Sequence, residues 1–142
     1  LTAASLKGVP QVISVGALDM VNFGPPDTVP VKFKERRFHQ HNPTITLMRT
    51  TPEEMDRLGL ELTQKASASS GRAAVVMPLR GVSALDAPGQ PFWWPEANAA
   101  LVQSVRNWIA PNVELLELDL HVNDPAFAAA CANTLLDLMR PR

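Results

Sequence analysis

The chain has 142 residues, with 13 Lys+Arg against 14 Asp+Glu for a formal charge of −1, and it contains 46% hydrophobic residues, 13 Pro, 7 Gly, 1 Cys and no Tyr. That length fits one domain able to bury roughly 70% of its unfolded surface. The balanced charge argues against an electrostatically driven nucleic-acid binder; the single Cys131 excludes a disulfide framework within the chain or a cysteine-rich zinc site, and no apolar run approaches the roughly 20 residues of a membrane span.

Leu1–Lys7 reads as a helix leading into Gln11, and Gln11–Val15 as a short buried strand, apolar and β-branched between Pro10 and Gly16. Residues 16–43 hold Gly24-Pro25-Pro26, Pro30, Pro43 and the charged stretch Lys32 to Arg37, and read as a long loop with one short helix near Val31–Glu35. Structureless loops of that length are uncommon in compact domains and are often functional. Thr44–Met48 is the next strand. Thr51-Pro52-Glu53-Glu54 then starts a helix, with Thr51 at the N-cap, Pro52 in the first turn and Glu54 completing a capping box. Met55, Leu58, Leu62 and Ala66 fall at helical spacing and form its buried stripe.

Arg72–Leu79 carries Ala-Ala-Val-Val-Met, a strand apolar on both faces. After the loop Arg80–Trp94, a helix starts near Pro95-Glu96 and runs to about Ile109, with Ala97, Leu101, Val105 and Trp108 inward. Val113–Asp119 alternates more and reads as a strand nearer an edge. Asp124 caps the last helix, Pro125 opens it, and Phe127, Cys131, Leu135 and Leu138 face inward.

This order predicts an α/β lobe: a three-layer, Rossmann-like open sheet of about four parallel strands. Ligands bind such sheets at the carboxyl ends of the strands, which selects Gly16–Phe23, Arg49–Thr51, Arg80–Asp86 and Asp119–Asp124. Arg49, Thr50 and Thr51 stand where a strand turns into a helix, and a helix N-terminus with a guanidinium suits a phosphate or carboxylate. The simpler alternative is a cap with Arg49 paired to a surface acid. Arg80, Gly81 and Ser83 form a second candidate anion loop, with Asp86 as an acid or metal ligand; the alternative is a loop held by an Arg80–Asp86 ion pair. Asp19, Asp86 and His121 are the candidates for acid/base work. For Asp119, His121, Asn123 and Asp124, local capping and turn formation compete with metal binding, and no metal site is assigned. His39 and His41 lie two residues apart in the long loop, and no shared metal is assigned to them. Phe92-Trp93-Trp94 either stacks a ring, lines an interface or packs onto the sheet. Cys131 belongs to the core. Walker A, Gly-x-Gly-x-x-Gly and Gly-x-Ser-x-Gly patterns are absent.

Five ordered segments carry a family resemblance: Gly16-Ala17-Leu18-Asp19-Met20-Val21-Asn22-Phe23-Gly24, His41-Asn42-Pro43, Leu47-Met48-Arg49-Thr50-Thr51, Pro78-Leu79-Arg80-Gly81-Val82-Ser83 with Asp86 and Gly89, and His121-Val122-Asn123-Asp124-Pro125-Ala126-Phe127-Ala128. Together they resemble the C-terminal half of the family named after the tomato mosaic virus resistance protein, whose bacterial members are described as uncharacterised proteins with an ATP-binding domain. The resemblance implies a single α/β lobe over residues 1–142, the C-terminal part of a larger two-lobed protein whose Gly-rich segments lie in the other lobe. ATP would then be bound only together with that N-terminal lobe.

The expected function is a ligand- or nucleotide-binding lobe with its anion site at the strand ends. The alternative is a non-catalytic oligomerisation or protein-interaction module built on the Pro-rich loop 22–43 and Phe92-Trp93-Trp94. The expected partners are the N-terminal lobe and further copies of the chain, with no nucleic acid and no membrane, in a cytoplasmic setting. No reaction follows from the residues.

Overall fold

A computed structural model describes residues 1–140. Its elements in chain order are α1 (Thr2–Lys7), β1 (Gln11–Ser14), β2 (Met20–Phe23), β3 (Phe38–Asn42), β4 (Ile45–Arg49), α2 (Pro52–Ser67), β5 (Ala73–Pro78), α3 (Pro95–Trp108), β6 (Val113–Leu118) and α4 (Pro125–Met139).

The apolar run of β5 makes it the centre of a parallel sheet ordered β1-β5-β6, and all six of its residues are buried. Alternation sorts its two faces. Ala73, Val75 and Met77 join Met55 and Leu62 of α2 and Leu101 and Val105 of α3 in the main core. Helix α4 lies against β1 and β5 and covers the other face, which gives the three layers expected. The more alternating β6 stands at an edge, as its pattern predicts.

The parallel sheet has three strands rather than about four. The segment read as the second parallel strand is β4, and it is the centre of a separate antiparallel sheet ordered β2-β4-β3. Both partners come from residues 16–43, read from sequence as a loop. Met20 to Phe23 pair with Arg49 to Thr46, and Phe38 to Gln40 pair with Met48 to Thr46, with a register shift before Asn42. With neighbours on both sides, β4 has no edge to offer the parallel sheet. Between β2 and β3 the prolines shape two short 3-10 turns, Pro26–Thr28 and Val31–Phe33, the second where a short helix is expected.

Helix α2 begins with the capping box read from sequence: Glu54 N donates to Thr51 Oγ1 at 3.3 Å and Thr51 N donates to Glu54 Oε2 at 2.9 Å. Its Gly59 permits close approach of α3, since a Cβ there would sit 2.7 Å from Ser104 Cβ. In α3, Ala97, Leu101 and Val105 are buried as predicted, but Trp108 is 57% exposed. The chain turns extended at Ile109, which packs on the core instead. In α4, Phe127 and Leu138 are buried while Cys131 and Leu135 are half-buried, so Cys131 lies at the margin of the core. Asp124 occupies the N-cap position, yet its carboxylate faces back and accepts from His121 N at 2.8 Å. Among the described residues no helix is long and apolar enough to cross a membrane.

Candidate functional site

The loops leaving β1, β5 and β6 are laced together past the ends of the strands. Ala17 N donates to Val82 O at 2.8 Å, Arg80 N to Leu120 O at 3.0 Å and Val122 N to Gly81 O at 3.0 Å. Ala17 takes a left-handed conformation, with φ 59°. Gly81 is required by its surroundings: its φ is +124°, and a Cβ would fall 1.8 Å from Asp86 O and 2.9 Å from His121 Cδ2.

Beneath this edge lies a buried polar cluster. Arg49, at the end of β4, is fully buried. Its Nε donates to Phe92 O at 2.8 Å, Nη1 to Thr50 Oγ1 at 2.9 Å and Nη2 to Asn98 Oδ1 at 2.9 Å. Asp86 Oδ1 lies 3.7 Å from Nη2, and neither side chain is exposed. Asp86 also accepts from Val82 N at 2.9 Å and from Asn98 Nδ2 at 2.9 Å. Thr50 Oγ1 passes the chain of bonds on to Leu18 O at 3.0 Å, and Thr50 N donates to Asp19 O at 3.0 Å.

Asp19 is the second buried acid. Its Oδ2 accepts from Ser83 Oγ at 2.6 Å, while Oδ1 is buried without a partner. Burial pushes the Asp19 carboxyl above its ordinary range, against the opposing pull of Ser83 and Arg49. Burial likewise pulls Arg49 below its ordinary value, opposed by Asp86 and Asp19. His121, after β6, is fixed on both ring nitrogens. Nδ1 accepts from Asn123 N at 3.2 Å, so Nε2 carries the hydrogen and donates to Ser83 O at 3.0 Å.

Seven predicted site residues therefore converge: Asp19, Arg49, Thr50, Gly81, Ser83, Asp86 and His121. Two point elsewhere. Thr51 spends its hydroxyl on the α2 cap. The Arg80 side chain is exposed and makes a two-pronged pair with Asp119, Nε to Oδ1 at 2.8 Å and Nη2 to Oδ2 at 2.7 Å. That pair holds the Asp119 carboxyl below its ordinary range. The alternatives weighed for the two arginines both change: Arg49, not Arg80, faces Asp86, and the partner of Arg49 is buried. Among the described residues no group of three or more His, Cys, Asp or Glu could hold a metal ion.

Sequence reasoning passed over Asn98, which joins Arg49 to Asp86. The signal is that Asn98 alone is polar and uncharged in the Ala-rich opening of α3. It also passed over Arg36, which donates to both Glu54 oxygens and, at 2.7 Å, to Arg49 O, tying the antiparallel sheet to α2. The aromatic cluster packs inward: Phe92 is fully buried, and Arg37 lies 4.7 Å over the half-buried Trp94 ring.

Residues 1–139 match the model of the Uncharacterised protein family (UPF0261) C-terminal domain. A UPF0261 protein of Clostridium tetani is 44% identical over 140 residues, 98% of this chain and 35% of that protein. A UPF0261 protein of Rhizobium meliloti is 44% identical over 141 residues, with the same shares. The ToMV resistance protein Tm-1(GCR237) of Solanum lycopersicum is 41% identical over 134 residues, 93% of this chain and 18% of that protein. The chain thus spans about a third of the length of the bacterial relatives. On this likeness over residues 1–139, the chain belongs to the UPF0261 family, in the region of its C-terminal domain.

Proposed function

We propose that the chain is the ligand-binding lobe of a longer UPF0261 protein, taking an anionic ligand of nucleotide type at the carboxyl ends of β1, β5 and β6. The buried cluster under that edge carries the reading. A fold gains little from burying two carboxylates and a guanidinium there, because apolar side chains of equal volume stabilise as well or better. Charged clusters with shifted pKa values concentrate where ligands bind and react.

In this reading Arg49, Thr50, Asp86 and Asn98 brace the loops from below, with their donors turned inward. The ligand meets the rim. Arg80 exchanges Asp119 for the anion, Gly81 gives the loop the turn that carries Arg80, and His121 and Ser83 stand behind them. Asp19, with its raised carboxyl and free Oδ1, is the group able to hold a proton. The rest of the polypeptide supplies the facing wall, so ATP binding belongs to the two parts together.

Calorimetric titration of the full-length protein with ATP, and separately with inorganic phosphate, tests this. Saturable ATP binding, weakened about tenfold or more in Arg80→Ala, is expected for a lost charge-assisted contact. Absence of binding to both probes, or equal affinity in Arg80→Ala, overturns it.

The alternative of an interaction module draws support from one observation. A groove of about 450 Å³ on the antiparallel sheet is lined by Pro26, Val29, Pro30, Val31 and Phe38, and Val31 is 80% exposed. Loss of self-association in Val31→Asp, with ligand affinity intact, would establish that role beside the first.

A further inference from the structure

Helix α4 is apolar nearly all round. Eleven of its fifteen residues are Ala, Phe, Cys, Leu or Met, and Asp137 carries its one charge, yet only Phe127 and Leu138 are buried. A surface helix of a globular domain shows one apolar stripe and a charged opposite face, whereas a helix apolar on every side is an internal one. Helix α2 follows the first pattern, with Glu53, Asp56, Arg57, Glu61 and Lys65 outward.

Two stripes run along α4 back to back. Phe127, Cys131, Thr134 and Leu138 face the sheet. Ala129, Ala132, Leu136 and Met139, again at steps of three and four, face away from it, and Leu136 and Met139 are 58% and 61% exposed. The helix is held in place at its C-terminal end, where Arg72 Nη1 donates to Leu138 O at 2.8 Å and Asp137 O at 2.9 Å. The outward stripe is therefore preformed. The layer on that side of the sheet is also incomplete. On the face that Val76 shares with α4, the paired β6 residues Leu116 and Leu118 are only half-buried.

The length of the relatives points to an occupant for this face. The chain accounts for 35% of the Clostridium protein, which leaves 65% of that polypeptide outside the match (100 − 35). We propose that the outward stripe of α4 is an interface internal to the longer polypeptide, on which its remaining part packs, making α4 a buried helix shared by two layers. The stripe fits an apolar partner face, since it offers no charge and no hydrogen-bonding side chain. The inference rests on the reading that the chain is part of a longer polypeptide, and not on the ligand site, because no residue of α4 belongs to that site.

Thiol labelling of the full-length protein tests it. Ala129→Cys, Ala132→Cys and Leu136→Cys are made singly, and maleimide reaction rates are compared in native and urea-unfolded protein. Protection of about tenfold or more at all three positions, unchanged on dilution of a monomer verified by light scattering, is the expected result. Labelling at the unfolded rate overturns the proposal. Protection that vanishes as an oligomer dissociates also overturns it, and assigns the stripe to a second copy. Peroxide oxidation of Met139 in the unsubstituted protein, followed by mass spectrometry, gives the same reading without relying on the fold of a variant: slow oxidation in the native monomer is expected, and free oxidation overturns it.

Discussion

Arg49 and Asp86 lie 3.7 Å apart with neither side chain exposed, and Asn98 bonds to both. Removing one member of a buried ion pair strands the other charge, which costs about 3–5 kcal/mol. Asp86→Ala is therefore expected to lower stability by that amount in urea unfolding, more so because Val82 N loses its acceptor. The double change Arg49→Met with Asp86→Leu removes both charges, so it should cost less than the sum of the single changes. Strict additivity would show that the two residues do not act as a pair.

Arg80 and Asp119 make the opposite case. Both side chains are largely exposed, 63% and 73%, so solvent screens their pair. Arg80→Ala should leave the melting temperature unchanged within error while weakening ligand affinity. A variant that melts markedly earlier would make Arg80 a structural residue.

Gly81 and Gly89 separate backbone strain from steric conflict. Both have positive φ, +124° and +82°, but a Cβ at Gly89 meets nothing within 4 Å. Gly89→Ala should cost about 1 kcal/mol, the ordinary penalty for an L-residue in that region. Gly81→Ala drives a methyl into the Asp86 carbonyl and should cost more than about 3 kcal/mol, or prevent folding. Equal effects of the two changes would contradict the close packing of the β5 and β6 loops.

Asp19 predicts a pH dependence of unusual sign. Its carboxyl is raised by burial, so the folded state holds the proton more tightly than the unfolded chain. Its contribution to stability is complete below the unfolded value of about 4 and falls as pH rises through the folded value. Asp19→Asn removes that fall and still accepts from Ser83. The stability of the variant relative to the parent should therefore grow with pH above about 4, measured by thermal melts across pH. A difference that stays constant with pH would mean the Asp19 carboxyl is not raised.

What could be read from the sequence was local. The apolar run at residues 73–78 predicts a central strand, and Thr51 with Glu54 predicts a cap, because these signals act within a few residues. The antiparallel sheet escaped notice because Phe38–Asn42 reads Phe-His-Gln-His-Asn, too polar to announce a strand, and its pairing is set by β4. The family likeness and the strand-end rule picked out the loops that converge. They could not foresee which arginine turns inward, since Arg49 and Arg80 look alike along the chain and differ only in whether Asp86 or Asp119 stands opposite. The role of Asn98 depends on its meeting Arg49 and Asp86, residues 49 and 12 positions away in the chain, which no spacing encodes.

The antiparallel sheet leaves the chain and rejoins it at nearly one point, where Thr50 N donates to Asp19 O at 3.0 Å. Residues 20–49 thus form a closed excursion whose length is uncoupled from the parallel strands. Its tip at Pro43, between β3 and β4, can gain or lose residues without moving any strand of the parallel sheet or changing its register. The antiparallel sheet is thereby an appendage that could change in length while the three parallel strands keep their register.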